Sequence, residues 1–205
     1  MMFQQGAGNR PGCEFGELRS YMIAKLLWNP YINFDSVMND FLKGYYGKAG
    51  SYIRKYIDIM TEGLLKSGAG LWIYDNPVAE MKNYLSPELM EKYNQIFDKA
   101  ENSVRKEPEY LERVKEARLP LTYAMLEQAK VIGEGEKGIV KKTDGGYITN
   151  SKITALLEQF HQGCRKIGDV AVNEKNLMTD SASGPANIPI SISHILPTKT
   201  GKATW

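Results

Sequence analysis

Residues 17–30 read ELRSYMIAKLLWNP. The composition is helical throughout. Asn29-Pro30 stops it, because proline has no backbone N–H and disfavours helical geometry in the residue before it. Leu18, Tyr21, Met22, Ile23, Leu26, Leu27 and Trp28 occupy most of the circumference, and only Glu17, Arg19, Ser20 and Lys25 form a polar strip. A helix this apolar is expected between two layers rather than on one. The helices that follow supply one side, and the other side asks for a partner. The stretch MMFQQG at residues 1–6 reads as a short strand with no ladder of its own, and unpaired backbone donors are costly when buried. Both features raise the expectation that further structure precedes Met1 in the native assembly.

Outward from this helix the apolar spacing stays helical. Phe34, Val37, Met38, Phe41, Leu42 and Tyr45 fall on one face, with Asn33 placed to cap the start and Gly47 to close the end. Ala49, Tyr52, Ile53, Tyr56, Met60 and Leu64 mark a second stripe that stops in SGAG at 67–70. Ser86-Pro87 is a helix start, followed by Met90, Tyr93, Phe97, Ala100 and Val104. Glu107-Pro108 opens a stripe of Leu111, Val114, Leu121, Met125 and Ala129. Pro120 within it is expected to kink or split the helix. Residues 138–149 read as a hairpin around Asp144-Gly145-Gly146, and Thr149 or Asn150 caps a last helix bearing Ile153, Leu156, Leu157, Phe160, Cys164 and Ile167. After Gly168 the helical period is lost, and only PISISHIL alternates like a strand. The expected fold is mainly α: a bundle of about six helices with a short N-terminal strand and a small β-hairpin.

Composition excludes several function classes. With 205 residues, net charge +2 and basic residues dispersed along helical faces, the chain has no electrostatic footprint for nucleic acid. No run approaches the ~20 apolar residues of a membrane span, and no signal-peptide pattern opens the chain. Cys13 and Cys164 lie far apart and read as two ordinary thiols. His161 and His194 have no neighbouring ligand in sequence, so neither metal nor cofactor is expected. GEGEKG and SGAG do not follow a strand and open a helix, so they are no nucleotide fingerprint.

FQQGAGNRPGCEFGELRSYMIAKLLWNP, then NFDSVMNDFLKGYYGKAGSYIRKYIDIM, then YLSPELMEKYNQIFDKAENSVRKEPEYLERVKEARLPLTYAMLEQA resemble, in that order, a family of bacterial glycoside-hydrolase-like proteins classed as a domain of unknown function. The resemblance spans about residues 3–168. Members resemble α-glucuronidases and hexosaminidases, with a (β/α)8 barrel followed by a helical bundle. The resemblance implies that residues 1–12 are the last strand and loop of a truncated barrel, 13–168 a helical domain and 169–205 an irregular tail or linker. It also implies that the catalytic carboxylate pair lies outside this chain, on earlier barrel strands.

Candidate substrate contacts follow from that placement. Gln4 and Gln5 would sit at a strand end, where barrel enzymes place substrate. A glutamine cannot serve as acid or nucleophile, but its amide hydrogen-bonds a hydroxyl. Asn9 and Arg10 suit a hydroxyl or a uronate carboxylate, and Glu14 suits a sugar hydroxyl; the alternative is a solvated loop with Glu14 favoured by a helix start. Trp72 and Tyr74 are possible sugar-stacking rings, whereas Trp28, Tyr31, Tyr45 and Tyr46 fit core packing better. Arg118 interrupts an apolar stripe and is expected either to pair with an acid of a neighbouring helix or to snorkel its head to water.

Two functions fit. One is the C-terminal helical region of a carbohydrate-active, glycoside-hydrolase-like protein, not catalytically complete alone, which meets carbohydrate through the missing barrel. It is cytoplasmic from this chain alone, and exported if the parent follows the family. The other is a stand-alone scaffold or glycan/protein-binding module, self-associating through the exposed first helix.

Overall fold

The computed structural model describes residues 14–70 and 76–168, and the backbone of 171–173 and 176–177. Six α-helices are found among them: α1 (Gly16–Trp28), α2 (Phe34–Tyr46), α3 (Gly50–Ser67), α4 (Pro87–Ser103), α5 (Pro108–Ile132) and α6 (Ser151–Ile167). Two antiparallel strand pairs accompany them: β1 (Val140–Thr143) with β2 (Gly146–Thr149), and β3 (Ala171–Asn173) with β4 (Asn176–Leu177). The mainly helical class with one small hairpin is as expected. The predicted N-terminal strand and the alternating PISISHIL lie outside the described residues, while β3 and β4 fall where the loss of helical period announced no element. The chain divides into two compact units, Met1–Met125 and Leu126–Trp205, with the boundary inside α5.

Local chemistry explains the helix ends. Asn29 follows α1 in an extended conformation, ahead of Pro30. Asn33 caps α2 by accepting from the Ser36 N–H at 2.8 Å, and Ser86 caps α4 with Pro87 in the first turn. Gly68 and Gly168 close α3 and α6 in the left-handed region that glycine enters freely. Gly50 answers a different need. A Cβ there would lie 2.4 Å from the Leu42 carbonyl oxygen, so α2 and the start of α3 meet backbone to backbone.

The first unit is built on the predicted stripes, to which Tyr46 and Ile96 are added. Met38, Leu42 and Tyr46 of α2, Ile53 and Tyr56 of α3, and Met90, Tyr93, Ile96, Phe97 and Ala100 of α4 are buried together with Val104, and with Val114 and Leu121 of α5. Tyr56 sits at the centre, its ring 5.2 Å from Tyr93 and 4.9 Å from Phe97, both edge-on. Arg118 bridges α5 to α4 as expected, donating to Asp98 at 2.7 Å, to Glu101 at 2.6 Å and to Asn94. Pro120 does not split its helix. α5 runs unbroken for 25 residues, although Pro120 has no N–H to offer the preceding turn.

The second unit turns on Asn150, which is fully buried. Its side-chain oxygen caps α6 by accepting from the Lys152 N–H. Its amide nitrogen reaches the carbonyls of Gly138 at 2.8 Å, Glu136 at 3.0 Å and Gly135 at 3.4 Å, folding GEGEKG around itself. The buried side of α6 carries Leu157, Phe160 and Cys164.

Candidate functional site

Helix α1 departs most from the reading of its sequence. A helix apolar on nearly all sides should be buried between layers, yet only Leu18 and Met22 of α1 are buried, with Phe15 just before it. Beyond Met22 the helix runs out to the surface. Leu27 is 50% exposed, Trp28 92%, Tyr31 93% and Phe34 51%. Trp28 and Tyr31, expected in the core, therefore form with Leu27 and Phe34 an uncovered tip at the α1–α2 connection. Phe34 shares its helix face with Met38 and Leu42 but lies one turn nearer the connection, and of the three only Met38 and Leu42 are buried.

Half-buried rings continue the tip along the two helices. Tyr21 precedes Trp28 by two turns and Phe41 follows Phe34 by two turns, so each pair shares a helix face. The Tyr21 and Phe41 rings lie 5.1 Å apart, and Phe41 stacks on Tyr45 at 5.0 Å. Cations close both ends: Lys25 lies over Tyr21 at 5.2 Å and the Arg113 guanidinium over Tyr45 at 4.4 Å. Arg113 is held there by donating to the Tyr45 carbonyl at 2.9 Å and by its i, i+4 pair with Glu109. At this end two carboxylates feel each other. Glu116 has its pKa raised by burial and by the charge of Glu17, and the same two acids, after burial itself, raise Tyr45. Among the described residues the side chain of neither Glu17 nor Glu116 makes an ion pair or a hydrogen bond.

Of the predicted substrate contacts, Gln4, Gln5, Asn9, Arg10, Trp72 and Tyr74 lie outside the described residues. Glu14 is described, just before α1. It accepts a hydrogen bond from the Tyr56 hydroxyl at 3.1 Å, and burial lifts its pKa above the ordinary carboxylate value against the opposing effects of that bond and of Arg19. The Tyr56 hydroxyl is raised well above its ordinary value in turn, by burial and by Glu14. Phe15 follows in the left-handed region, at φ 49° and ψ 39°, which costs a non-glycine residue about 1–2 kcal/mol. No sequence pattern announces this pairing, because Glu14 and Tyr56 are 42 positions apart.

His161 is half-buried, and its Nε2, shielded from solvent, has no hydrogen-bond partner among the described residues; burial lowers its pKa. No group of three or more metal-ligating side chains occurs among the described residues, and no helix there is long and apolar enough to cross a membrane.

Residues 1–58 match the model of the family described as Domain of unknown function (DUF4838). The matched span takes in α1, α2 and the first half of α3, and so holds Glu14, Tyr56, the exposed tip and the ring ladder as far as Tyr45. Neither the curated proteins nor the solved structures yield a match.

Proposed function

We propose that this chain is the helical region of a larger, glycoside-hydrolase-like carbohydrate-active protein, and that the α1–α2 tip is the surface through which it packs on its catalytic barrel. In this reading residues 1–12 close the barrel, 13–168 form the helical region and 169–205 a tail or linker. Glycosidic cleavage by a pair of carboxylates takes place on barrel strands outside this chain. The carrying observation is the exposure of Leu27, Trp28, Tyr31 and Phe34 on one connection. Contiguous apolar surface of this kind marks an interaction site.

The coding DNA immediately upstream of Met1 tests this first. An in-frame stretch encoding strand–helix repeats is expected. In the protein expressed from the longer frame, with Trp72 and Trp205 replaced by Phe, Trp28 should become protected from acrylamide quenching. A stop codon upstream, or a Trp28 quenched equally in both proteins, refutes the proposal.

A second reading is favoured by the ladder Tyr21–Phe41–Tyr45, whose half-buried rings, tilted in the first pair and stacked in the second, continue the tip and end beside Glu17 and Glu116. Aromatic faces flanked by carboxylate acceptors suit a sugar ring and its hydroxyls, so the stripe is a glycan-binding surface in its own right. Titration of the chain with oligosaccharides, read by chemical shifts at Trp28 and Tyr21, tests this. Shifts that vanish in Trp28→Ala support it, and an unmoved spectrum at saturating sugar discards it.

A further inference from the structure

We propose that residues 190–196, ISISHIL, fold back on the second unit and add a third strand to the outer edge of β2. The β1–β2 hairpin has one guarded edge and one open edge. On the β1 side, Val140 directs its main chain away from β2: its N–H donates to the Gly133 carbonyl at 3.0 Å, and its carbonyl accepts from the Gly135 N–H at 2.9 Å. Lys141 and Lys142 add charge to the same strand. Val140 stands opposite Thr149, and Lys142 opposite Tyr147. Pairs of this kind alternate along an antiparallel ladder, so Thr149 and Tyr147 likewise turn their N–H and C=O groups away from β1. Among the described residues no hydrogen bond reaches those groups. β2 reads GYIT and carries no charge, and Tyr147 and Ile148 are each 53% exposed. Two strands alone make a marginal sheet, and an uncharged edge of β-forming residues is a template for a third.

The tail fits this edge by sequence and by reach. Ile190 and Ile192 alternate with Ser191 and Ser193, the period of a strand with one apolar face. On a neighbouring strand that face packs beside Tyr147 or Ile148, which point to opposite sides of the sheet. Pro189 and Pro197 bracket the segment, and proline suits the ends of an edge strand because it cannot extend a ladder. α6 leads away from β2 over about 25 Å. β3 and β4 then reverse the chain, and from Leu177 to Ile190 it can span up to about 45 Å. A segment tethered this closely is present at an effective concentration on the order of millimolar. It therefore takes an edge of only 4 residues ahead of a second copy of the chain. The pairing is independent of whether a barrel precedes α1.

Hydrogen–deuterium exchange of the full chain, followed amide by amide by NMR, reads both sides of the pairing. Amides in residues 190–196, and those of Tyr147 and Thr149, should exchange at least about tenfold more slowly than in unstructured chain. Thr149→Pro removes an outward donor and leaves the β1–β2 bonds, which Gly146 and Ile148 make, in place. It should return residues 190–196 to the unprotected rate. Ile192→Asp, in the tail, should speed exchange at Tyr147 and Thr149 and leave α6 protected. Free exchange of residues 190–196 in the wild type overturns the proposal. Protection that survives Thr149→Pro also overturns it, because the segment then docks elsewhere. Protection of Tyr147 that rises with protein concentration does so too, since the partner is then a second copy. If Thr149→Pro fails to fold and α6 loses its protection, Ile192→Asp decides: Tyr147 and Thr149 amides as slow as in the wild type overturn the pairing.

Discussion

Asn150 is where one atom pair carries the most structure, and its replacement by Asp separates two roles that sequence alone would merge. As the cap of α6, Asn150 needs only a side-chain oxygen, and Asp is as good a cap as Asn. In the folded chain, however, the other half of the amide donates to the carbonyls of Gly138, Glu136 and Gly135, at a site with no solvent exposure. Asn150→Ala loses the cap, worth about 1 kcal/mol, and leaves buried carbonyls without their donor, worth about 1–3 kcal/mol more. The expected destabilisation is about 3 kcal/mol. Asn150→Asp keeps the cap but turns a donor into a charge facing carbonyl oxygens. At neutral pH it should cost more than Ala, about 3–5 kcal/mol. Repulsion and burial raise that aspartate's folded-state pKa, so its stability deficit should shrink as pH falls toward the unfolded value of about 4. Urea unfolding followed by circular dichroism, with local exchange in residues 133–150 to assign the transition, measures all three proteins. An Asp variant as stable as wild type at neutral pH would refute the reasoning, because it would mean that the amide donors hold nothing.

Arg118→Met should destabilise the first unit by about 1–2 kcal/mol in chemical denaturation, since Arg118 is largely buried where it pairs with Glu101. Glu101→Gln should cost more than Asp98→Asn, because the Asp98 side chain is more than half exposed. Gly44 has nothing within 4 Å of an added Cβ, so Gly44→Ala in α2 should raise stability by about 0.5–1 kcal/mol in thermal melts. Gly50→Ala places a carbon 2.4 Å from backbone and should lower stability by about 1–3 kcal/mol or more, because the backbones of α2 and α3 would have to part. With Cys13 changed to Ser, Cys164 should react with thiol reagents only on unfolding, as it is buried on α6.

Much of the helical plan was legible from local chemistry. Asn33, Ser86-Pro87, Pro108, Gly68 and Asn150 mark helix ends through side-chain caps, a fixed φ or a left-handed turn, and each acts within four residues of itself. The stripe of α4 needed nothing more, because Met90, Tyr93, Phe97, Ala100 and Val104 recur at helical spacing and all are buried. Arg118 was legible in kind: a guanidinium on an apolar stripe needs an acid, although sequence did not say that Asp98 and Glu101 supply it. Pro120 did not split α5, because a lost hydrogen bond within a helix need not end it. β3 and β4 escaped, since strands of three and two residues leave no period to read.

The sequence by itself determined that the chain is mainly helical, where its helices start and stop, and which stripe of α2 to α4 turns inward, since each depends on residues within a turn or two of one another. Only the tertiary structure decided the fate of α1. Whether Trp28 and Tyr31 are covered depends on which helix lies opposite them, and the pairing of Glu14 with Tyr56 depends on two segments far apart in the chain being brought together. Spacing fixes the direction of a side chain relative to its own helix axis, whereas burial and proton affinity are set by what the rest of the chain brings to that side.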